Sequence, residues 1–335
     1  MENVTKIPVS ISYLNQIKPL AEDATDNDKK KHGRKLELIP HVENFISTNE
    51  RFGGDVQITF SHSGVSSLVC ILDNSKEKFV LKIPITSSLS DGESDCLKAW
   101  ESVGVSVPEV IDEGLIHNHP YILMSFVDAK RLADCTQEEL AGKEISLNLG
   151  KTLRQMHGSK AEGYGRIKDH KAEYQEFTDW LQDSSIQNRI KYVKKEKILD
   201  DEVHGSIDQA LKILIDFVEK NPGSTYCHND FGRGNTFNTD PITVFDPNPL
   251  INHPVTDISR SIVLTATGSS NPNWSIEQML KGYYGDEFDF DRRAFQAGVL
   301  LNAYTKIYFW HKSGYFHRVE RIKKYLAETK YLLNS

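Results

Sequence analysis

Between Asp55 and Val127 the chain is written in short alternating runs, and beyond Asp128 that pattern nearly vanishes; this change limits the available folds more than any other feature. In "DVQITFS" the apolar residues Val56, Ile58 and Phe60 take every second position, and "SLVCILD" and "KFVLKIP" follow, joined by the turn signal "NSKE". A period of two puts such side chains on one face of a strand. "PYILMSFV" predicts a further strand, after one helix over "DGESDCLKAWESVG". In that helix Leu97 and Trp100 share a face with Cys96, and Gly104 supplies the stop. Strands at such short intervals imply an antiparallel sheet with the single helix packed on it.

The rest of the chain has helical spacing. "ISLNLGKTLRQMHG" places Ile145, Leu149, Leu153 and Met156 on one face, and "IDQALKILIDFVEKNPG" repeats the pattern. "DRRAFQAGVLLNAYTKIYFWHKSG" does the same with Phe295, Val299, Ala303, Ile307 and Trp310. The expected class is therefore α+β with two lobes. A small N-terminal antiparallel β lobe with one key helix spans 1–127, and a larger, mostly helical lobe spans 128–335. A chain of 335 residues is long enough to give each its own core. Residues 1–50 read as a variable extension, part helix and part loop, in which "ATDNDKKKHGRK" is expected to be a solvated surface insertion.

Charge and cysteine usage remove several classes of function. A net charge of -7 argues against nucleic acid as a partner, since phosphate backbones need a basic face. Cys70, Cys96, Cys135 and Cys227 form no CxxC pair and read as small buried hydrophobes in a reducing compartment. The opening "MENVTKIPVS" is too polar for a signal peptide, and no later run is long enough to span a bilayer. The expected location is the cytoplasm, without a membrane partner.

The chemistry concentrates in "YCHNDFGRGNTFNTDPITVFDPNP". Asp230 and Asn235 stand five residues apart, and Asp246 follows a short hairpin ending "ITVFD". A carboxylate to accept a hydroxyl proton, an amide oxygen on Mg²⁺ and a second carboxylate on Mg²⁺ are the parts phosphoryl transfer requires. In the small lobe, Lys82 is the sole charge between Leu81 and Ile83. A lysine there needs an anion or a carboxylate, unless it lies on an edge strand and reaches water along its stem. Glu93, on the first turn of the following helix, can meet it; Glu101 and Glu109 read as surface residues. "SHSGVSS" offers N–H groups and hydroxyls that could cup phosphate oxygens, although Ser-Gly turns also join ordinary hairpins.

Taken in order, these segments resemble the aminoglycoside phosphotransferase and choline kinase group, relatives of the eukaryotic protein kinases. "HNDFGRGN" is similar to that group's catalytic loop HxDxxxxN, and "VFDPNP" to its metal-binding aspartate. Asp257 in "PVTDISRS" matches the downstream aspartate that braces the loop. "HSGVSS", "FVLKIP" and "ESDCLKAWESVGVSVPEVIDEG" resemble the nucleotide loop, the lysine strand and the helix and strand after it. "YILMSFVDAKRL" resembles the hinge. The likeness runs from about Gly53 to Trp310.

The resemblance implies a kinase-like fold and a kinase of small molecules, with ATP or GTP as donor and Mg²⁺ as cofactor. It assigns Asp230 as general base or hydroxyl-orienting carboxylate, and Asn235 and Asp246 as Mg²⁺ ligands. Lys82, held by Glu93, would contact the α- and β-phosphates, and Ser63, Gly64 and Ser66 would lie over the triphosphate. The backbone of Ser125 and Val127 would meet the adenine or guanine edge. His228 would prop the loop, and Arg233 reads equally as a phosphate contact or a solvent-facing arginine. The family's hinge glycine is Ala129 here. Asp246 precedes "PNP" instead of Phe-Gly and no "APE" segment follows, which disfavours a protein kinase.

The acceptor is expected to be a small hydroxylated molecule, with a cationic aminoglycoside as the first reading and choline, a sugar or a glycated amine as the second; a third reading, a non-catalytic nucleotide-binding module, is disfavoured by the intact Lys82, Glu93, Asp230, Asn235 and Asp246. Glu173, Glu176, Asp179 and Asp183, or Asp286, Glu287, Asp289 and Asp291, could attract a polycation, or could be solvated helix faces and caps. Trp180, Trp274, Tyr283 and Tyr284 could line a pocket or simply pack.

Overall fold

The structure, a computed structural model, describes residues 9–21, 25–61, 66–85, 92–286 and 289–328. The chain divides into two units, Met1–Lys98 with Pro108–Asp128, and Ala99–Val107 with Ala129–Ser335.

The first unit holds β1 (Val9–Tyr13), α1 (Asp26–Thr48), β2 (Gly54–Phe60), β3 (Ser67–Asp73), β4 (Lys78–Pro84), β5 (Val110–Ile116) and β6 (His119–Ser125); α2 (Glu93–Ser102) begins in it and ends in the second. The six strands form one sheet in the order β1-β2-β3-β4-β6-β5. Alternation in sequence becomes alternation in burial: Phe79, Leu81 and Ile83 of β4 are buried, and Val80 and Lys82 are half-buried on the other face. Pairing is antiparallel from β2 to β5, but β1 joins β2 in parallel, Val9 beside Gly54, a strand that the sequence reading did not include.

A second difference concerns residues 24–35, expected as a loop. From Asp26 they form the first turns of α1, started by a capping box in which Thr25 and Asp28 satisfy each other's backbone N–H groups. Leu38, Val42 and Ile46, four residues apart, carry the helix into a core with Val56, Ile58, Leu81 and Leu123. The polar first turns remain at the surface. In α2 the side chains of Cys96, Leu97 and Trp100 are fully buried, and Gly104 adopts the left-handed backbone (φ 82°) that ends the helix.

The second unit is mostly helical. It contains α3 (Ile145–Met156), β7 (Lys160–Ala161), β8 (Tyr164–Lys168), β9 (Lys171–Tyr174), α4 (Phe177–Leu181), α5 (Ser184–Lys195), α6 (Asp201–Lys220) and β10 (Ser224–Cys227). There follow β11 (Thr236–Phe237), β12 (Thr243–Val244), β13 (Leu250–Asn252), α7 (Pro254–Gly268), α8 (Pro272–Tyr284), α9 (Arg292–Lys312) and α10 (Phe316–Glu328). Short strands make a second sheet, β7-β10-β13-β8-β9, and a separate hairpin, β11-β12. Their runs of two to five residues are too brief to show a period. Helices α3 and α8 pack so closely that a Cβ on Gly150 would sit 2.0 Å from the Met279 carbonyl oxygen, and one on Gly282 2.1 Å from that of Leu147. No described helix is long and apolar enough to cross a membrane.

Candidate active site

Lys82 lies on an interior strand. β4 runs between β3 and β6, with Lys82 opposite Val69 on one side and Ile122 on the other, so an edge-strand position is excluded. Its ammonium lies 2.6 Å from Glu93 Oε2, with side-chain exposures of 12% and 7%. A pair this dry fixes the position of the ammonium more than it stabilises the fold. Ser66 stands at the head of β3, its carbonyl accepting the Ile85 N–H (3.0 Å); Ser63 and Gly64 lie outside the described residues. At the end of β6 the Ser125 N–H donates to the Glu109 carbonyl (2.9 Å) and its Oγ accepts the Glu109 N–H (2.9 Å), so its backbone N–H is already committed. Val127 is half-buried two residues on; Glu101 and Glu109 are exposed.

In the second unit the loop after β10 is built around Asp257. Its carboxylate accepts the backbone N–H of His228 (2.8 Å) and of Asn229 (2.7 Å), and the second bond holds Asn229 in a left-handed conformation (φ 55°). His157 Nε2 meets the same carboxylate at 3.1 Å, with its Nδ1 2.5 Å from the Tyr283 hydroxyl. Burial pushes the Asp257 carboxyl up, but His157 and the Asn229 backbone N–H outweigh it and hold it below the ordinary value. His157, Cys227 and Asp257 have metal-ligand spacing, yet this network already employs the histidine and both carboxylate oxygens. His228 is a prop, as expected. Its Nδ1 accepts the Asp230 N–H (3.3 Å), its Nε2–H donates to the Phe245 carbonyl (3.0 Å), and its ring stacks on Trp100. Burial lowers its pKa and keeps it neutral.

Asp230 is held from two directions. Asn235 Nδ2 donates to Asp230 Oδ2 (3.2 Å) and to the Asp230 carbonyl (2.9 Å). On the other side Lys306 Nζ donates to Oδ1 at 2.7 Å, with exposures of 13% for the lysine and 41% for the aspartate side chain. The hairpin β11-β12 pairs Thr236 with Val244, and the Phe245 N–H donates to the Asn235 carbonyl (3.1 Å), so Asn235 and Asp246 stand at one end of it. Phe237 stacks on Phe245 at 4.2 Å and stiffens that end. Asp246 is exposed, on left-handed backbone (φ 54°). With its NH₂ bound to Asp230, Asn235 has its amide oxygen left as an acceptor, and an amide oxygen beside a carboxylate suits Mg²⁺.

Arg233 is exposed, in keeping with the solvent-facing reading, and its Nη2 also donates to the Leu132 carbonyl (3.0 Å). The acidic side chains considered as cation recruiters have local duties. Asp183 caps α5 through the Ser185 N–H (2.8 Å) and takes the Tyr174 hydroxyl (2.8 Å). Asp291 caps α9 through the Ala294 N–H (2.9 Å), and Asp286 pairs with Lys281 (2.8 Å). Glu173, Glu176, Asp179 and Asp289 are exposed, and Glu287 lies outside the described residues. Trp180 packs on Phe177, Tyr283 on His157 and Tyr284 on Phe290, while Trp274 is exposed.

Lys306 and Arg260 were missed in the sequence. Arg260 is buried, its Nε donating to the Asn229 carbonyl (2.5 Å) and its Nη1 to Thr305 (3.3 Å) and Asn302 (3.4 Å). For Lys306 the available signal was a lone charge between Ala303 and Trp310 of an apolar helix, the same signal that marked Lys82.

This fold is the protein-kinase-like one, and it defines the class as small-molecule phosphotransferases. The model of the phosphotransferase enzyme family matches residues 57–294, and the chain belongs to that family. Among solved structures it is similar to a thermostable mutant of aminoglycoside phosphotransferase APH(4)-Ia in ternary complex with AMP-PNP and hygromycin B. The TM-score is 0.60 at 17% identity, over 93% of this chain and 99% of that one. A protein assigned as a fructosamine-3-kinase of Haemophilus somnus 129PT is similar with TM-score 0.52 at 15% identity, over 79% and 88% of the two chains. Spectinomycin phosphotransferase APH(9)-Ia, in complex with ADP and spectinomycin, is similar with TM-score 0.52 at 12% identity, over 80% and 88%. No curated protein matches in sequence.

Proposed function

We propose that the protein transfers the γ-phosphoryl group of ATP or GTP to a hydroxyl of a small molecule. The observation that carries this is the grip on Asp230, with Asn235 at one carboxylate oxygen and a buried ammonium at the other. A carboxylate so fixed can orient an acceptor hydroxyl, and positioning with charge neutralisation supplies most of the catalysis in such reactions. The acceptor oxygen bonds to the γ-phosphorus, the bridging P–O bond breaks, the nucleoside diphosphate leaves, and the hydroxyl proton passes to Asp230. Lys82, fixed by Glu93, would contact the α- and β-phosphates, with Ser63, Gly64 and Ser66 over the triphosphate. The Ser125 carbonyl and Val127 backbone would meet the base edge. Asn235 and Asp246 would hold Mg²⁺, which neutralises phosphate charge when bound.

Two acceptor classes have support. Similarity to kinases solved with hygromycin B and spectinomycin supports an aminoglycoside-type antibiotic. Similarity to a fructosamine-3-kinase, and acidic side chains occupied by caps and ion pairs, support a metabolite such as a sugar or glycated amine. The test is nucleotide consumption with Mg²⁺ against aminoglycosides, choline and sugars, each with ATP and GTP. Stimulation by a compound identifies the class, whereas nucleotide binding without any stimulated transfer from this panel removes support from these acceptors.

A further inference from the structure

The two oxygens of Asp230 face different groups. Oδ2 meets Asn235, beside the proposed metal ligands, and Oδ1 meets Lys306 of α9. An acceptor hydroxyl must come within hydrogen-bond reach of this carboxylate away from the metal, which puts α9 on the acceptor side. That side is rich in cations. Arg260 has its duties on the Asn229 carbonyl, Asn302 and Thr305 and needs no ligand. Arg189 of α5 is different: it is half-buried, and its guanidinium lies 4.6 Å over the ring of Phe309. Phe309 follows Lys306 by three residues, so the two occupy neighbouring positions on one face of α9.

No carboxylate lies within ion-pair distance of Arg189 among the described residues, and the nearby Asp183 is engaged by Ser185 and Tyr174. A desolvated guanidinium over a ring without a bonded carboxylate is suited to a bidentate oxyanion. The aromatic faces that would receive a cationic acceptor are meanwhile covered by the chain's own cations, Phe309 by Arg189 and Tyr192 by Lys312 at 4.6 Å.

We propose that the acceptor carries, besides its reacting hydroxyl, an oxyanion (a carboxylate or a phosphomonoester) seated on Arg189. This rests on phosphoryl transfer at Asp230. Lys306, bonded to Asp230 and on the same face of α9 as Phe309, adds positive potential, which favours such a molecule over a polycation.

The experiment measures transfer from Mg²⁺–ATP and Mg²⁺–GTP to three sets of acceptors: hydroxy acids and sugar phosphates, uncharged polyols, and amino sugars. The expected result is that an oxyanion-bearing compound is the best acceptor, and the better of its two subsets tells carboxylate from phosphate. Arg189→Met, which keeps a side chain over Phe309, should raise KM for it by at least about tenfold with a smaller change in kcat, as loss of a charged hydrogen bond requires. Arg189→Lys should restore part of that loss. Preference for an amino sugar or a neutral polyol, no stimulation by any oxyanion-bearing compound, or an unchanged KM in a folded Arg189→Met protein would each overturn the assignment. Transfer that survives Asp230→Ala would overturn the phosphoryl-transfer reading itself, and the assignment with it.

Discussion

At Asp230 two opposed effects act on one carboxyl group. Burial raises its pKa, but the Lys306 ammonium, with Arg260, outweighs that and holds it below the ordinary carboxylate range. The group is thus ionised at neutral pH, fit to orient a hydroxyl and to take its proton as the P–O bond forms. Lys306 shows the other side of the balance. Burial and the Arg260 charge bring its ammonium down to about 8 against the pull of Asp230, with Arg318 adding a small push downward. Charge at Lys306 is therefore lost as the pH rises through about 8. We predict that kcat/KM falls over the same range, and that Lys306→Arg, which stays charged, moves the decline to higher pH; a rate profile from pH 6 to 10 checks this. Asp257 serves a different purpose. Asp257→Ala would leave two backbone N–H groups and His157 without their carboxylate, so we expect a loss of about 3–5 kcal/mol by urea unfolding.

The elements that carry these residues are held by features of unequal legibility. β2, β3, β4 and α2 could be read because each has a clean period, and the candidate catalytic loop could be proposed because its residues are local: Asp230, Asn235 and Asp246 lie within a short stretch. The start of α1 was misread because charge dominates its first turns, and its capping box outweighs that composition. The contact of α3 with α8 was invisible, since a glycine in a helical run does not announce the helix it faces. Gly150→Ala should cost about 3 kcal/mol, because the added carbon meets backbone that cannot swing aside; thermal unfolding against a surface alanine control measures it. At the start of α7, His253 Nδ1 accepts the Val255 N–H (3.2 Å), a cap that only the unprotonated nitrogen can provide. Burial brings its pKa from 6.5 down to about 4, although its bond to the Asn221 carbonyl acts the other way. With the folded pKa below the unfolded one, this contribution is present above about 6.5 and lost as the pH falls through 4. His253→Asn should flatten stability across that window, read by urea unfolding at each pH.

At the scale of the whole molecule, a net charge of -7 conceals a local excess of cations on one side of Asp230. Net charge carries no information on where charges gather. Lys306 lies 76 residues beyond Asp230 and Arg260 31 beyond Asn229, so only the folded helices bring them to the loop. The family and the two-part α+β architecture were legible because they rest on ordered motifs; acceptor chemistry was not, because it depends on contacts distant in sequence. The central claim remains that Asp230 directs phosphoryl transfer. Its most direct test compares wild-type protein with Asp230→Ala in two readings, Mg²⁺–nucleotide binding by calorimetry and acceptor-stimulated nucleotide consumption. The account predicts retained binding with turnover reduced by about a thousandfold or more, as expected when positioning and proton acceptance are both removed. Near-wild-type turnover in Asp230→Ala would contradict it.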